Sequence, residues 1–101
     1  MASTSPGYGI TIRVEGSPDS QPVALATTII TGAGATITAL DVVESLLEKV
    51  VIDITCDTID SDHADEITAA ISANPELTVR KVSDRTFLLH LGGKIEISSK
   101  V

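Results

Sequence analysis

The chain has 101 residues, of which 14 are Asp or Glu and only seven are Lys or Arg, so its formal net charge is -7. Nucleic-acid binding depends on clustered cations that neutralise phosphates and on aromatic rings that stack on bases. With scattered basic residues, one Phe and one Tyr, the sequence excludes a nucleic-acid module.

The length suits one compact domain. No apolar run reaches the roughly 20 residues of a membrane span, and the N-terminus lacks the charged and apolar segments of a secretory signal. A single cysteine, Cys56, leaves no internal disulfide, which is typical of a reducing compartment. We therefore expect a cytoplasmic protein with no membrane partner.

Residues 1–7 are predicted to be a disordered leader, and the first strand begins at Tyr8. Apolar and polar residues alternate from there to Glu15, which places them on opposite faces of a strand. The apolar face consists of Ile10, Ile12 and Val14.

A turn rich in Ser, Pro and Asp, Glu15–Pro22, leads to the first predicted helix. The apolar residues after it recur at spacings of three and four, as one face of a helix requires. They are Val23, Ala26, Ile30 and Ala33. The Thr and Ile residues at 27–31 have low helix propensity and would also fit a strand. Gly34 is the predicted left-handed cap of the helix.

Two strands are predicted next, Thr36–Glu44 and Val50–Asp57, and the short link Ser45–Lys49 between them indicates an antiparallel hairpin. One face of the later strand consists of Ile52, Ile54 and Cys56. We interpret Cys56 as a buried, unreactive thiol. Asp41 lies inside the earlier strand, where an inward charge on an edge strand indicates protection against aggregation or part of an interface.

The second helix is predicted to begin at Asp60, because acidic residues in the first turn favour the positive end of the helix dipole. Asn74-Pro75 ends it. Its predicted buried stripe is Ala64, Ile67, Ala70 and Ile71. A fourth strand, Leu77–Val82, follows, and its broken alternation indicates a bulge or an exposed edge.

The order strand, helix, strand, strand, helix, strand predicts an α+β fold, a ferredoxin-like sandwich. In it, a four-stranded antiparallel sheet carries both helices on one face. The other face is expected to be polar, with Thr11, Arg13, Asp53 and Thr55. Residues 84–101 form a predicted C-terminal helix-strand extension, in which Asp84 caps a short helix and Lys94–Ser98 alternates like a strand. We interpret this extension as the truncated start of a larger region.

Two segments resemble known families. The element order over residues 8–83, with a turn before the first helix and Gly34 three residues before Ile37, resembles the ACT domain, a small regulatory module that often binds amino acids. The segment Ser83–Ile97 resembles the start of the catalytic region of bacterial NAD-dependent malic enzymes. Some of these enzymes, notably in actinobacteria, carry an ACT domain directly in front of that region.

The resemblance implies that this chain is the N-terminal regulatory region of such a malic enzyme. It also implies that oxidative decarboxylation of malate, with NAD and a divalent metal as cofactors, belongs to a downstream catalytic domain. For the present chain we expect no catalytic residue, no metal site and no cofactor.

The candidate ligand site is the turn before the first helix, at Asp19, Ser20, Gln21, Pro22 and Val23. The resemblance implies a glycine within an Arg-Pro-Gly-like turn, but Gln21 occupies that position when the helix is aligned on Val23. Free amides at a helix N-terminus suit a carboxylate, whereas stretches rich in Ser, Pro and Asp are usually solvated turns. The sequence leaves both interpretations open.

Other candidate residues have simpler interpretations. Gly32 and Gly34 lack the third glycine and the following helix of a dinucleotide fingerprint. The segment Gly92–Lys94 lacks the spacer of a phosphate loop. His63 is interpreted as a solvated surface histidine rather than a metal ligand, and His90 as a structural or inter-domain hydrogen-bonding residue.

Two functions remain open from the sequence. The first is a regulatory sensor, a homodimer paired through its sheet edges that binds an amino acid or organic acid and biases the attached catalytic domain. The second is a structural dimerisation and assembly module without a ligand, which Gln21 favours. An enzyme of acylphosphatase type would need an Arg and Asn pair around a phosphate cradle, and no such pair is recognisable.

Overall fold

The computed structural model describes residues 8–84, and within that range the chain forms four strands, two α-helices and one 3₁₀ turn. The bounds are β1 (Tyr8–Gly16), α1 (Pro22–Gly32), β2 (Thr36–Ser45), β3 (Val50–Thr58), α2 (Ser61–Ser72) and β4 (Leu77–Asp84). The antiparallel sheet has the strand order β2-β3-β1-β4, which confirms the predicted ferredoxin-like α+β fold. The predicted leader and the extension after Asp84 lie outside the described residues.

The core lies between the sheet and the two helices, and most of its large side chains are β-branched. On the sheet, the most deeply buried side chains are Ile10, Ile12, Val14, Ile52, Ile54 and Cys56. The register places Ile12 of β1 opposite Ile54 of β3, as the alternation predicted. A fully buried Ile contributes roughly 1.5–3 kcal/mol, so the two central strands hold much of the stabilising burial.

α1 forms although its Thr and Ile residues would also suit a strand. The hydroxyl of Thr27 donates to Val23 O at 2.8 Å, and that of Thr31 donates to Thr27 O at 2.9 Å. These hydroxyls are therefore satisfied within the helix. Gly34 has a φ of 92°, which confirms it as the left-handed residue after α1. No helix of the described segment is long and apolar enough to cross a membrane.

The buried face of each helix differs from its predicted stripe in one place. In α1, Pro22 is buried and Val23 is 36% exposed. In α2, His63 is buried and Ala70 is exposed. The reason is the same in both helices, because a row of side chains four residues apart faces the sheet. The rows are Pro22, Ala26 and Ile30 in α1 and His63, Ile67 and Ile71 in α2.

Both edge strands contain β-bulges. In β4, Lys81 and Val79 lie opposite two consecutive residues of β1, so Arg80 is an extra residue and the predicted bulge is confirmed. In β2, Thr38 and Val43 are extra residues in the same sense. Each bulge interrupts the strict alternation of side chains between the two sheet faces.

Candidate functional site

The predicted ligand turn connects β1 to α1 through a single 3₁₀ turn, Pro18–Ser20. Two backbone hydrogen bonds of 3.1 Å close it, from Ser20 N to Ser17 O and from Gln21 N to Pro18 O. The Ser20 hydroxyl also donates to Ser17 O at 2.8 Å. Ser20 therefore uses its hydroxyl proton to hold the turn together.

Gln21 has the backbone conformation of a glycine. Its φ of 58° and ψ of 62° are left-handed, a conformation that costs a non-glycine residue about 1–2 kcal/mol. Within residues 8–84 it is the one non-glycine residue with a positive φ. The position where the family resemblance implies a glycine thus keeps a glycine-type backbone, although its side chain differs. Strain of this kind persists only where the surrounding structure enforces it.

Gly16 and Pro22 enforce the shape of the turn. A Cβ on Gly16 would lie 2.9 Å from Pro22 Cβ and 3.1 Å from Glu76 O, so a glycine lets the start of α1 approach the end of β1. Pro22 stands at the first position of α1, where its fixed φ suits the helix and its missing N–H has no helical partner. Pro22 is buried, which makes it a structural member of the predicted set.

The exposed part of the turn presents backbone amides. The first hydrogen bond of α1 runs from Leu25 N to Gln21 O at 3.1 Å, and the Gln21 side chain makes no capping bond. The N–H groups of Val23 and Ala24 therefore lie at the positive end of the helix dipole, an environment that suits a carboxylate. Asp19, Gln21 and Val23 are exposed, so a ligand can reach them.

His63 is a buried structural residue, so the predicted solvated histidine is wrong. It is 8% exposed, and its Nδ1 accepts from Ile59 N–H at 3.0 Å. Because Nδ1 accepts, Nε2 carries the proton and donates to Ala33 O at 2.7 Å. The imidazole thus ties the end of α1 to the start of α2. The spacing of four residues from His63 to Ile67 was the sequence signal for its burial.

The start of α2 has the predicted cap. Asp60 Oδ1 accepts from His63 N at 2.8 Å, so the acidic residue satisfies one of the free amides of the first turn. Among the described residues, no group of three His, Cys, Asp or Glu side chains could hold a metal ion.

Cys56 is fully buried, which confirms that prediction. Burial, with a smaller contribution from the charge of Asp57, raises the pKa of the thiol to about 11. At neutral pH the group is therefore a protonated thiol, which is a poor nucleophile.

The face of the sheet away from the helices, here called the open face, is polar as predicted. Arg13 donates to Asp53 through two bonds, from Nε to Oδ1 at 2.8 Å and from Nη2 to Oδ2 at 2.9 Å. The hydroxyls of Thr11 and Thr55 are 2.9 Å apart. The Arg13 hydrogen bonds hold the pKa of Asp53 below its ordinary value, against the opposing effect of burial, with a small contribution from the charge of Lys81.

β2 exposes several apolar side chains, and the sequence pattern did not indicate this exposure. Leu40, Val42 and Val43 of β2, together with Leu46 and Leu47 of the link to β3, are here called the β2 apolar edge and are 39% to 96% exposed. Asp41 is exposed opposite Asp53 on the open face, so the expected inward charge is wrong. An exposed apolar edge strand is a typical pairing surface for a second chain.

The fold and the turn define a ferredoxin-like α+β domain with an accessible helix N-terminus after its first strand. No family model matches the sequence. The chain is similar to the NAD-dependent malic enzyme of Geobacillus stearothermophilus, with 38% identity over 92 residues. The match covers 91% of this chain and 19% of that enzyme, so the chain spans about a fifth of that relative's length. The chain is therefore similar to one part of a malic enzyme, as the sequence indicated, and its membership of the ACT family stays a prediction.

Proposed function

We propose that this chain is the regulatory region of an NAD-dependent malic enzyme and that it binds an amino acid or organic acid at the turn Ser17–Val23. The match to one part of a malic enzyme supports a region attached to a larger catalytic protein. In this proposal the oxidative decarboxylation of malate, the NAD and the divalent metal belong to the rest of that cytoplasmic enzyme. The observation that carries the sensing role is the left-handed backbone of Gln21 directly before α1.

The turn can hold a carboxylate without any cationic side chain. The amides of Val23 and Ala24 donate to the ligand carboxylate, and the α1 dipole stabilises its charge by about 0.3–1 kcal/mol. Asp19 is exposed in the same turn and supplies a negative charge for an ammonium group. This combination favours an amino acid over a simple organic acid as the ligand.

An NMR titration of the 101-residue chain with the common amino acids and organic acids tests the proposal. We expect one compound to shift the amide signals of Val23 and Ala24 in a saturable way. Gln21→Trp, which places a bulky side chain at the turn, should weaken that binding roughly ten-fold or more. Ser61→Trp introduces the same side chain at the exposed start of α2 and should leave binding unchanged.

The sensing proposal fails if no compound shifts these amides, or if the two tryptophan variants bind equally well. Neither tryptophan substitution is expected to unfold the chain, because both substituted positions are exposed.

A second function, a structural dimerisation module without a ligand, is favoured by the β2 apolar edge. The outer side of β2 has no neighbouring strand among residues 8–84, and its apolar side chains would be covered if a second copy paired there. In this alternative the domain holds the subunits of a malic-enzyme-related protein together.

A further inference from the structure

The open face of the sheet contains a depression of about 280 Å³, here called the open-face depression. Its lining includes four cations, Arg13, Lys49, Arg80 and Lys81, which are all the Lys and Arg residues of the described segment. A hollow of about 50 Å³ shares Arg13 and Lys81 with it. In a chain with a net charge of -7, the positive charge of the domain is thus concentrated in one place.

The bulges of both edge strands direct consecutive side chains into this depression. Successive side chains of a regular strand point to opposite faces, yet Arg80 and Lys81 of β4 both line the open-face depression. Val43 and Glu44 of β2 do the same from the other edge. Arg80 and Val43 are the extra residues of their bulges. Bulges are over-represented beside functional sites, where they redirect side chains in this way.

Carboxylates hold three of the four cations and leave one unpaired. The pairs are Arg13–Asp53, Arg80–Glu15 and Lys49–Glu44. The Lys49 pair is loose, with 3.9 Å between the nitrogen and the oxygen. Lys81 makes no ion pair within the described part of the chain, so its ammonium group has three donors available to a ligand.

We propose that the open-face depression binds a small organic anion with two carboxylates, and that Lys81 and Lys49 are its main contacts. Lys81 donates to one ligand carboxylate. Lys49 releases Glu44 and donates to the other ligand carboxylate. Arg13 and Arg80 are held by their own carboxylates and line the depression without adding a free charge. Pockets for drug-sized ligands have volumes of about 300–1,000 Å³, so a depression just below that range suits a small metabolite.

The smaller hollow extends this chemistry toward the hydroxyls of Thr11 and Ser83. These groups can hydrogen-bond to a ligand hydroxyl, and Asp53, which lines the same hollow, is held by Arg13. The site is separate from the turn Ser17–Val23, so this inference holds or fails independently of the proposed sensing turn.

An NMR titration of the whole 101-residue chain with succinate, at constant ionic strength, tests the inference. Succinamide has the same carbon skeleton without the charges and is the matched control ligand. We expect saturable amide shifts around Lys49 and Lys81 with succinate and none with succinamide. Lys81→Ala should lower the affinity roughly ten-fold, as loss of a charged hydrogen bond does, whereas Lys81→Arg should retain most of it.

The position of the shifts separates the two proposals. Shifts confined to Ser17–Ala24 would overturn the open-face site and support the turn. Equal shifts with succinamide, no saturable shift, or an affinity unchanged in both Lys81→Ala and Lys49→Ala would also overturn it. The amide spectrum of each variant shows directly whether that variant is folded.

Discussion

Gly16 controls the turn at the scale of a single residue. Since a Cβ there would meet Pro22 and the Glu76 carbonyl, we expect Gly16→Ala to lower the free energy of unfolding by about 1–3 kcal/mol. Gly32→Ala is the matched control, because nothing lies within 4 Å of the added Cβ. It should stabilise α1 by up to about 1 kcal/mol. Urea denaturation measures both, and equal effects of the two variants would contradict the tight packing at Gly16.

His63 accepts a hydrogen bond from one backbone amide and donates one to a backbone carbonyl. His63→Ala leaves Ile59 N–H and Ala33 O without their partner, so we expect the free energy of unfolding to fall by about 2–3 kcal/mol. Asp62→Ala changes the preceding residue, which is exposed in the first turn of α2, and should lower stability by less than about 1 kcal/mol through the helix dipole. A stability loss in the Asp62 variant as large as that in the His63 variant would exclude the bridging role.

At the scale of elements, the Arg13–Asp53 pair joins the two central strands. Its lowered pKa means that Asp53 is charged more readily in the folded chain than in the unfolded chain. The pair therefore stabilises the fold above the ordinary pKa of Asp, near 4, and this contribution is lost as the pH falls through the lowered value. Asp53→Asn should reduce the urea midpoint at pH 7 and have progressively less effect as the pH falls below about 4.

Asp57→Asn is the control for that pH dependence, because Asp57 lies on the same strand and face and makes no ion pair among the described residues. The urea midpoints of the unmodified chain and of Asp53→Asn should differ less as the pH falls. If they differ by the same amount from neutral to acidic pH, the ion pair does not act through the charge of Asp53.

The sequence predicts the buried faces of some elements and not of others. Alternation predicted the buried faces of β1 and β3, because side-chain direction in a strand depends only on residue order. The spacing of His63 and Ile67 signalled burial, but the hydrogen bond of His63 to Ala33 O, 30 residues earlier in the chain, is contained in no local pattern. The exposure of β2 likewise depends on which strands lie beside it in the sheet, since its composition resembles that of a covered strand.

The position of the turn between β1 and α1 was predicted, whereas its role as a ligand site stays a prediction. The strand-to-helix transition placed the turn correctly, because Gly, Ser and Pro residues separate two periodic patterns. The left-handed backbone of Gln21 was not predictable from its residue type, which has no preference for that conformation. The sequence did not indicate the open-face depression, because its basic residues, such as Arg13 and Lys81, are far apart in the chain.

At the scale of the whole molecule, the two edges of the sheet differ in the number of apolar groups that they expose. β2 exposes three large apolar residues and its link to β3 exposes two more, whereas β4 exposes one, Val82. Pairing of two copies through β2 would cover the larger surface and satisfy the outward backbone groups of that strand. We therefore expect the 101-residue chain to form a dimer whose population rises with concentration in sedimentation velocity experiments.

Val42→Lys tests which edge pairs, because an exposed lysine on an edge strand opposes association. Val42 is 53% exposed on β2, and Val82 is 44% exposed on β4, so Val82→Lys is a control of similar exposure on the other edge. We expect the first variant to weaken dimerisation roughly ten-fold or more and the second to leave it unchanged.

The reverse result would assign the interface to β4. A chain that stays monomeric at every concentration would exclude both edges and, with them, the assembly function, while the two ligand proposals would still stand on their own titrations.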